Sequence, residues 1–239
     1  MADFTIGDYG YTVTSGTNVR AVVVDRTKSS YADVPSTVTY GGVTYTVTNM
    51  EWCFDNCTSL AQAPSIPSSV TSMYECFYNC TSLAQAPTIP SSVTNLNSCF
   101  YGCTSLTAAP SIPSSVTYMG YCFYCCTSLA GNVTVTNNPT SYTNCFSDTT
   151  NDIYIIPSGL SSAAIEKWRN IASGYSNVHY YYDDATANPF TFNVTRVASS
   201  GSTTPAQDSG TYAYIEAVYK VSYLPSGASA TRALTCDGT

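Results

Sequence analysis

From Met50 onward the apolar positions follow a 23-residue phrase that is written four times and begun a fifth. Starting at Met50, Met73, Leu96 and Met119, the chain reads close to M-x-x-C-F-x-x-C-T-S-L-x-x-A-P-x-I-P-S-S-V-T-x. The fourth copy drifts after Leu129, and the fifth, at Tyr142, keeps only Cys145 and Phe146. A fixed period of this length marks an architecture in which each unit stacks on its neighbours. In the second copy the apolar positions are Met73, Cys76, Phe77, Cys80, Leu83, Ala86, Ile89 and Val93, three or four apart nearly throughout. That spacing suits a helix, but Pro87 and Pro90 forbid one, since each lacks an N–H and collides with the preceding turn. The expected unit is one coil: an extended segment near residues 83–89, tight turns at the prolines and serines, and a return arm over residues 73–80. A lone coil leaves its apolar edge in water, whereas stacked coils bury it, so equivalent residues should form ladders. Phe54, Phe77, Phe100, Phe123 and Phe146 are expected in one ladder, and Leu60, Leu83, Leu106 and Leu129 in another. With adjacent strands ~4.8 Å apart, five coils make a rod roughly 25 Å long.

On either side the period changes. Residues 4–6, 9–14, 19–24 and 38–47 alternate as strands do, the last as a hairpin whose Gly41-Gly42 supplies the positive φ angles of a two-residue turn. This segment is placed to cover the apolar end of the first coil. After Phe146 the repeat decays, and Ser161 or Ser162 is the expected N-cap of a helix through Ala163, Ala164, Ile165, Trp168 and Ile171. Lys167 and Arg169 fall in its second half, favourable toward a helix C-terminus. A last strand is expected over residues 177–182. Residues 183–189 read as a linker, followed by strands at residues 190–197, 211–223 and 231–236, with a Ser/Gly/Thr-rich loop after the first.

The phrase C-F-Y-N-C-T-S-L-A-Q-A-P-T-I-P-S-S-V-T, repeated at 23-residue spacing, resembles the BspA-like leucine-rich repeats of bacterial surface proteins, over about residues 35–182. Those repeats commonly carry A-F or M-F where this chain has C-F. The resemblance implies a right-handed solenoid used for adhesion or recognition and no enzyme. It also implies a C-terminal cap opened by the Y-I-I-P-S-G phrase. Further on, R-V-A-S-S-G-S-T-T-P-A-Q-D-S-G-T-Y-A-Y-I resembles the opening of immunoglobulin-like modules in phage tail and baseplate proteins. About 50 residues are too few for the roughly 100-residue sandwich, so that module is incomplete or pairs its open edge with another chain as a homo-oligomer. The expected fold is a right-handed leucine-rich-repeat (BspA-like) repeat solenoid with four parts. They are a β-rich N-terminal cap (1–49), repeats (50–149), a C-terminal cap with a helix (150–184) and a small all-β, partly Ig-like module (185–239).

Charge narrows the partners. The net charge is −7, only 10% of residues are charged, and no Lys or Arg occurs between Lys28 and Lys167. A surface without cations cannot neutralise phosphates, which argues against nucleic acid and anionic membranes. No apolar run approaches a membrane span, and Met1-Ala2-Asp3-Phe4 does not open a signal peptide. An extracellular place, on a bacterial cell surface or a virion, is expected from the neutral Ser, Thr, Tyr and Asn chemistry.

The 11 cysteines fall mostly on two ladders, Cys53, Cys76, Cys99, Cys122 and Cys145, and Cys57, Cys80, Cys103 and Cys126. The favoured reading is small buried hydrophobes. The alternatives are disulfides within each C-x-x-x-C, and a zinc site at Cys122, Cys125 and Cys126, which lacks a fourth ligand. Cys125 stands where Asn56, Asn79 and Gly102 stand in other copies and is expected to be the most exposed thiol. Catalytic candidates are poor. His179 reads as a structural imidazole, Asp183-Asp184 as a solvated turn, and no cofactor is implied.

Within the repeat, the variable positions should face solvent, and they are rich in aromatics: Trp52, Tyr74, Tyr78, Tyr101, Tyr121 and Tyr124 form the candidate ligand-binding set. Tyr78, Tyr101 and Tyr124, one coil apart, should form an exposed aromatic row, and such rings suit a surface glycan or a protein partner. They also suit simple shielding of the ladder edges. Gln62, Gln85 and Thr107 make a second candidate surface. The functional expectation is a non-enzymatic recognition or adhesion protein. The alternative is a structural spacer in a phage fibre or surface appendage.

Overall fold

The computed structural model describes residues 2–180, together with the backbone of residues 192–196 and 206–210. The chain divides into two compact units, Met1–Tyr182 and Asp183–Thr239.

The first unit opens with strands β1 (Phe4–Ile6), β2 (Tyr9–Ser15), β3 (Asn18–Val23), β4 (Thr37–Tyr40) and β5 (Val43–Asn49), in the sheet order β1-β2-β3-β5-β4. These lie within a residue or two of the alternating segments in the sequence. Gly41 and Gly42 adopt φ of 58° and 81°, closing the β4–β5 hairpin between Tyr40 and Val43. Strands β3 and β5 run parallel, and β5 continues that direction into the repeats. Asn49 at its end bridges Ser72, which bridges Asn95, then Tyr118, then Ser141, all parallel and all 23 residues apart.

The extended segment expected near residues 83–89 is shorter than that. Only the parallel bridges Gln62–Gln85 and Gln85–Ala108 mark it. The prolines that follow lack the N–H a longer ladder needs. The return arm is a chain of tight turns with a strict alternation. Met50, Trp52, Phe54 and Asn56 donate their N–H to the carbonyls of Ser72, Tyr74, Cys76 and Tyr78 in the next coil, at 2.7–3.0 Å. Between them, Cys53, Asp55 and Cys57 donate back to Met50, Trp52 and Phe54 within their own coil. Thus one residue holds the coil closed and the next ties it to its neighbour.

Inside the stack, Phe54, Phe77, Phe100, Phe123 and Phe146 are fully buried, with successive ring centroids 5.1, 5.6, 5.6 and 5.5 Å apart and planes within 9° of parallel. Leu60, Leu83, Leu106 and Leu129 are likewise buried. The ladder cysteines are buried free thiols, and those of Cys80, Cys103 and Cys126 donate to the carbonyls of Phe54, Phe77 and Phe100 at 3.0–3.1 Å. Hydroxyls reinforce the stack from outside. Ser69, Ser92 and Ser115 each donate to a carbonyl of the preceding coil at 2.6 Å.

Both ends of the phenylalanine column meet tyrosines. Tyr9 sits edge-on and Tyr31 tilted against Phe54 at 6.2 and 5.3 Å, and Tyr175 sits edge-on against Phe146 at 6.2 Å. At the first coil, Val23 N–H and Arg26 Nε donate to the otherwise open carbonyls of Cys53 and Asp55. After the drifting fourth copy the coils widen into a parallel sheet of β6 (Gly131–Val135), β7 (Ile153–Pro157) and β8 (Val178–Tyr180). Between β7 and β8 runs α1 (Ser162–Ser173), N-capped by Ser161, whose hydroxyl accepts from Ala164 N–H. Its buried face is Ala164, Trp168, Ile171 and Ala172; Ala163, read from the sequence as part of that stripe, is exposed. The Trp168 indole donates to the Asn137 carbonyl at 3.0 Å, so its burial leaves no polar atom unmet.

In the second unit, β9 (Phe192–Arg196) and β10 (Ala206–Gly210) pair antiparallel, Phe192 opposite Gly210. Strand β10 occupies part of the stretch read as a loop. An in-register antiparallel partner overrides the weak strand preference of Asp, Ser and Gly. The strands expected at residues 211–223 and 231–236, the linker at 183–189 and the end of the strand at 177–182 lie outside the described residues. So does most of the segment carrying the immunoglobulin-like resemblance.

If the phenylalanine column is what holds the coils together, Phe100→Ala should destabilise the full chain by about 3–5 kcal/mol, as large core truncations do. Phe100→Leu should cost clearly less, since most of the volume remains. Urea unfolding followed by circular dichroism measures both; a Phe100→Ala loss under about 1 kcal/mol would remove the column from that role.

Candidate functional site

The surface over the turns is shaped by backbone that the side chains do not obviously call for. The third position of every copy, Trp52, Glu75, Ser98, Tyr121 and Asn144, has φ between 51° and 58°. The seventh position, Asn56, Asn79, Gly102, Cys125 and Asp148, is also left-handed in every copy. For L-residues this region costs roughly 1–2 kcal/mol each. It goes with the alternation of N–H direction, because Trp52 and Asn56 are among the donors to the next coil. Asn, Asp and Gly tolerate the region and signal the seventh position in the sequence. Trp, Glu, Ser and Tyr give no such signal at the third. At Gly102 a Cβ would come within 2.3 Å of the Asn79 side-chain oxygen. That oxygen belongs to a short amide ladder, Asn79 Nδ2 donating to Asn56 Oδ1 at 3.2 Å.

The six aromatic residues of the candidate set separate into two groups. Tyr78, Tyr101 and Tyr124 stack face to face, with centroids 4.5 and 4.8 Å apart and planes 14° and 13° from parallel. Tyr121 tilts against Tyr124 at 5.8 Å and is exposed. Trp52 and Tyr74 form a separate edge-on pair at 5.5 Å, with the Arg20 guanidinium 5.3 Å from the Trp52 ring and the indole donating to Glu75 at 3.0 Å. The column is half-buried rather than a row of free rings. Both faces of Tyr101 are taken by its neighbours, which leaves its edge and hydroxyl to a partner.

Electrostatics at the column come from Asp148. Its carboxylate accepts the Tyr124 hydroxyl and holds that phenol protonated, pushed up to about 12. Tyr78 is raised as well, first by partial desolvation and then by Tyr101 beside it. Asp148 also accepts from Cys125 Sγ at 3.7 Å. Cys125 is the most exposed of the described thiols, and it turns away from the zinc partners considered for it. Cys122 is buried, and the Cys126 thiol points inward to Phe100. Among the described residues, no group of three His, Cys, Asp or Glu side chains is gathered to hold a metal ion.

Two further positions are corrected by the register. Gln85 pairs with Ala108, not Thr107, so the Gln62–Gln85 strip does not extend through Thr107, whose hydroxyl instead donates to Ala84. The second position of the repeat, Glu51, Tyr74, Asn97 and Gly120, differs in every copy and should face solvent on that ground, but Gly120 is buried. His179 is partly exposed, stacks on Tyr154 at 5.2 Å and meets Asp152 at 3.0 Å, with no nucleophile in that group. Asp183-Asp184 lie outside the described residues.

The BspA type leucine rich repeat region matches residues 46–167 in six copies. Among solved structures, a leucine-rich repeat protein from Bacteroides ovatus is similar at 20% identity, covering 66% of this chain and 50% of that one, with a TM-score of 0.45. A leucine rich cell surface protein from Faecalibacterium prausnitzii matches at 22% identity over 64% of this chain and 44% of that one, TM-score 0.46. The T. pallidum leucine rich repeat protein matches at 18% identity over 71% and 94% of the two chains, TM-score 0.42. The chain thus spans about half the length of the first two structures it matches. Among curated proteins nothing matches.

Two measurements check this geometry. Ser98→Gly should raise stability by up to about 1 kcal/mol and Ser98→Val should lower it, because Gly adopts the left-handed φ of 53° without a Cβ penalty and a β-branched residue does not; equal effects in a denaturant midpoint would contradict the strain. In native labelling with iodoacetamide, Cys125 should react first among the ten described cysteines. Burial and then the Asp148 carboxylate push its thiol up, so its rate should climb only above the usual thiol range. Asp148→Asn should move that rise to lower pH, and an unchanged profile would show that the carboxylate plays no part.

Proposed function

The chain belongs to the BspA-type leucine-rich repeat family, and we propose that it is a non-enzymatic recognition module, displayed at a bacterial surface, whose tyrosine column binds a protein partner. The observation that carries this reading is the face-to-face stack of Tyr78, Tyr101 and Tyr124. Stacking fixes three large side chains before any partner arrives, so little conformational freedom remains to be lost on binding. A sugar that stacks on aromatic faces finds those of Tyr101 occupied. A protein surface can use the ring edges and hydroxyls that remain. The absence of Lys and Arg from residues 29–166 suits a neutral or basic partner and opposes phosphate-rich ones.

Affinity capture from bacterial and host surface extracts, quantified by surface plasmon resonance on each recovered protein, tests the proposal. Against a true partner, the Tyr78→Ala/Tyr101→Ala/Tyr124→Ala variant should bind at least about 30-fold more weakly, as loss of a central aromatic cluster costs 2 kcal/mol or more. The matching Phe variant, which keeps the stack and removes the hydroxyls, should fall between. A triple Ala variant that keeps full affinity for every partner would sink the site and leave the spacer reading in its place.

A further inference from the structure

The alternation that ties each coil to the next has a consequence at the last one. In the fifth coil the within-coil bonds persist: Cys145, Ser147 and Thr149 donate back to Tyr142, Asn144 and Phe146 at 3.2–3.3 Å. Asn144 and Asp148 keep the left-handed φ of their counterparts, at 53° and 58°. The N–H groups that point to the next coil in earlier copies belong here to Tyr142, Asn144, Phe146 and Asp148, and no sixth coil follows them; α1 does. The Tyr175 ring stands edge-on to Phe146 at 6.2 Å at this end of the stack. For Tyr142, Asn144 and Asp148 no acceptor stands among the described residues.

These donors border a cleft of about 630 Å³, open to solvent, between the fifth coil and the C-terminal end of α1. That size lies in the range of small-ligand sites, ~300–1,000 Å³. Its other walls are Tyr142 and Tyr175 rings and the polar side chains of Asn144, Asn170, Ser176 and Asn177. Among the described residues, Asp148 is the only charged one lining it. An anion would meet a carboxylate and no cation. A peptide strand paired along the whole row would collide with Tyr175.

We infer that this end-of-stack cleft is a binding site for a neutral, hydroxyl-rich ligand of the saccharide class. Ring hydroxyls accept from the N–H groups of Asn144 and Asp148 and donate to the Asp148 carboxylate and nearby amide oxygens. Tyr142 and Tyr175 contribute apolar contact. The site touches the tyrosine column only through Asp148, which accepts the Tyr124 hydroxyl, and it stands whether or not that column binds protein.

Saturation-transfer NMR on the full chain, with D-galactose, D-mannose, N-acetyl-D-glucosamine and lactose as probes, tests it. At least one should receive transfer. Thr143→Trp and Ser176→Trp, at exposed positions on the cleft rim, should each weaken that binding by about tenfold or more. Circular dichroism confirms that both variants fold. The Tyr78→Ala/Tyr101→Ala variant, which breaks the column but leaves Tyr124 on Asp148, should bind the sugar unchanged, which separates failure of this site from failure of the column. The inference is overturned by no transfer to any probe, by full binding in both Trp variants, by loss of binding in the alanine variant, or by displacement of sugar only with an extended peptide.

Discussion

Each coil of this protein is held to the next by main-chain hydrogen bonds from alternate residues, and the rest of the structure depends on that alternation. It fixes the 23-residue advance, because Met50, Trp52, Phe54 and Asn56 can reach Ser72, Tyr74, Cys76 and Tyr78 only in register. Register then sets Phe over Phe and Leu over Leu. A single net hydrogen bond contributes about 0.5–1.5 kcal/mol, comparable with the cost of one left-handed residue. The turns therefore hold because the bonds recur in every coil and because the rings beneath them pack at 5.1–5.6 Å.

Much of this was legible in the sequence. The period named the ladders, the alternation before Met50 placed five strands, Gly41-Gly42 placed a hairpin, and Ser161 or Ser162 marked the start of the helix, which the structure caps with Ser161. What the pattern hides is backbone sign. Asn56, Asn79, Gly102 and Asp148 are residue types that accept positive φ, but Trp52, Glu75 and Tyr121 are not, and their conformation is imposed by neighbours in space. Register near the prolines is hidden as well. The period pairs Gln85 with Ala108, whereas residue similarity alone drew attention to Thr107.

The candidate surface was legible in the same partial way. Spacing said that Tyr78, Tyr101 and Tyr124 lie above one another, and they do. It did not say that they close to ring contact and so withdraw their faces from solvent. Trp52 and Tyr74 stand at other positions of the repeat, and the contacts that hold the indole, to Arg20 and Glu75, were not legible in the spacing. The end cleft was invisible for a different reason. It is made by what the fifth copy fails to continue, and a decayed repeat leaves no motif to find.

The same inter-coil bonds lie along the direction in which the coils are piled. A force drawing the first coil away from the last would load the successive interfaces in series, so that each carries the full pull and the weakest gives way first. Extension would then proceed in steps of a single coil, each releasing 23 residues of slack while the remaining Phe pairs stay closed. A stack of this kind dissipates a pull gradually, and it recovers from the coils still standing, which offer a ready template for the next to re-form.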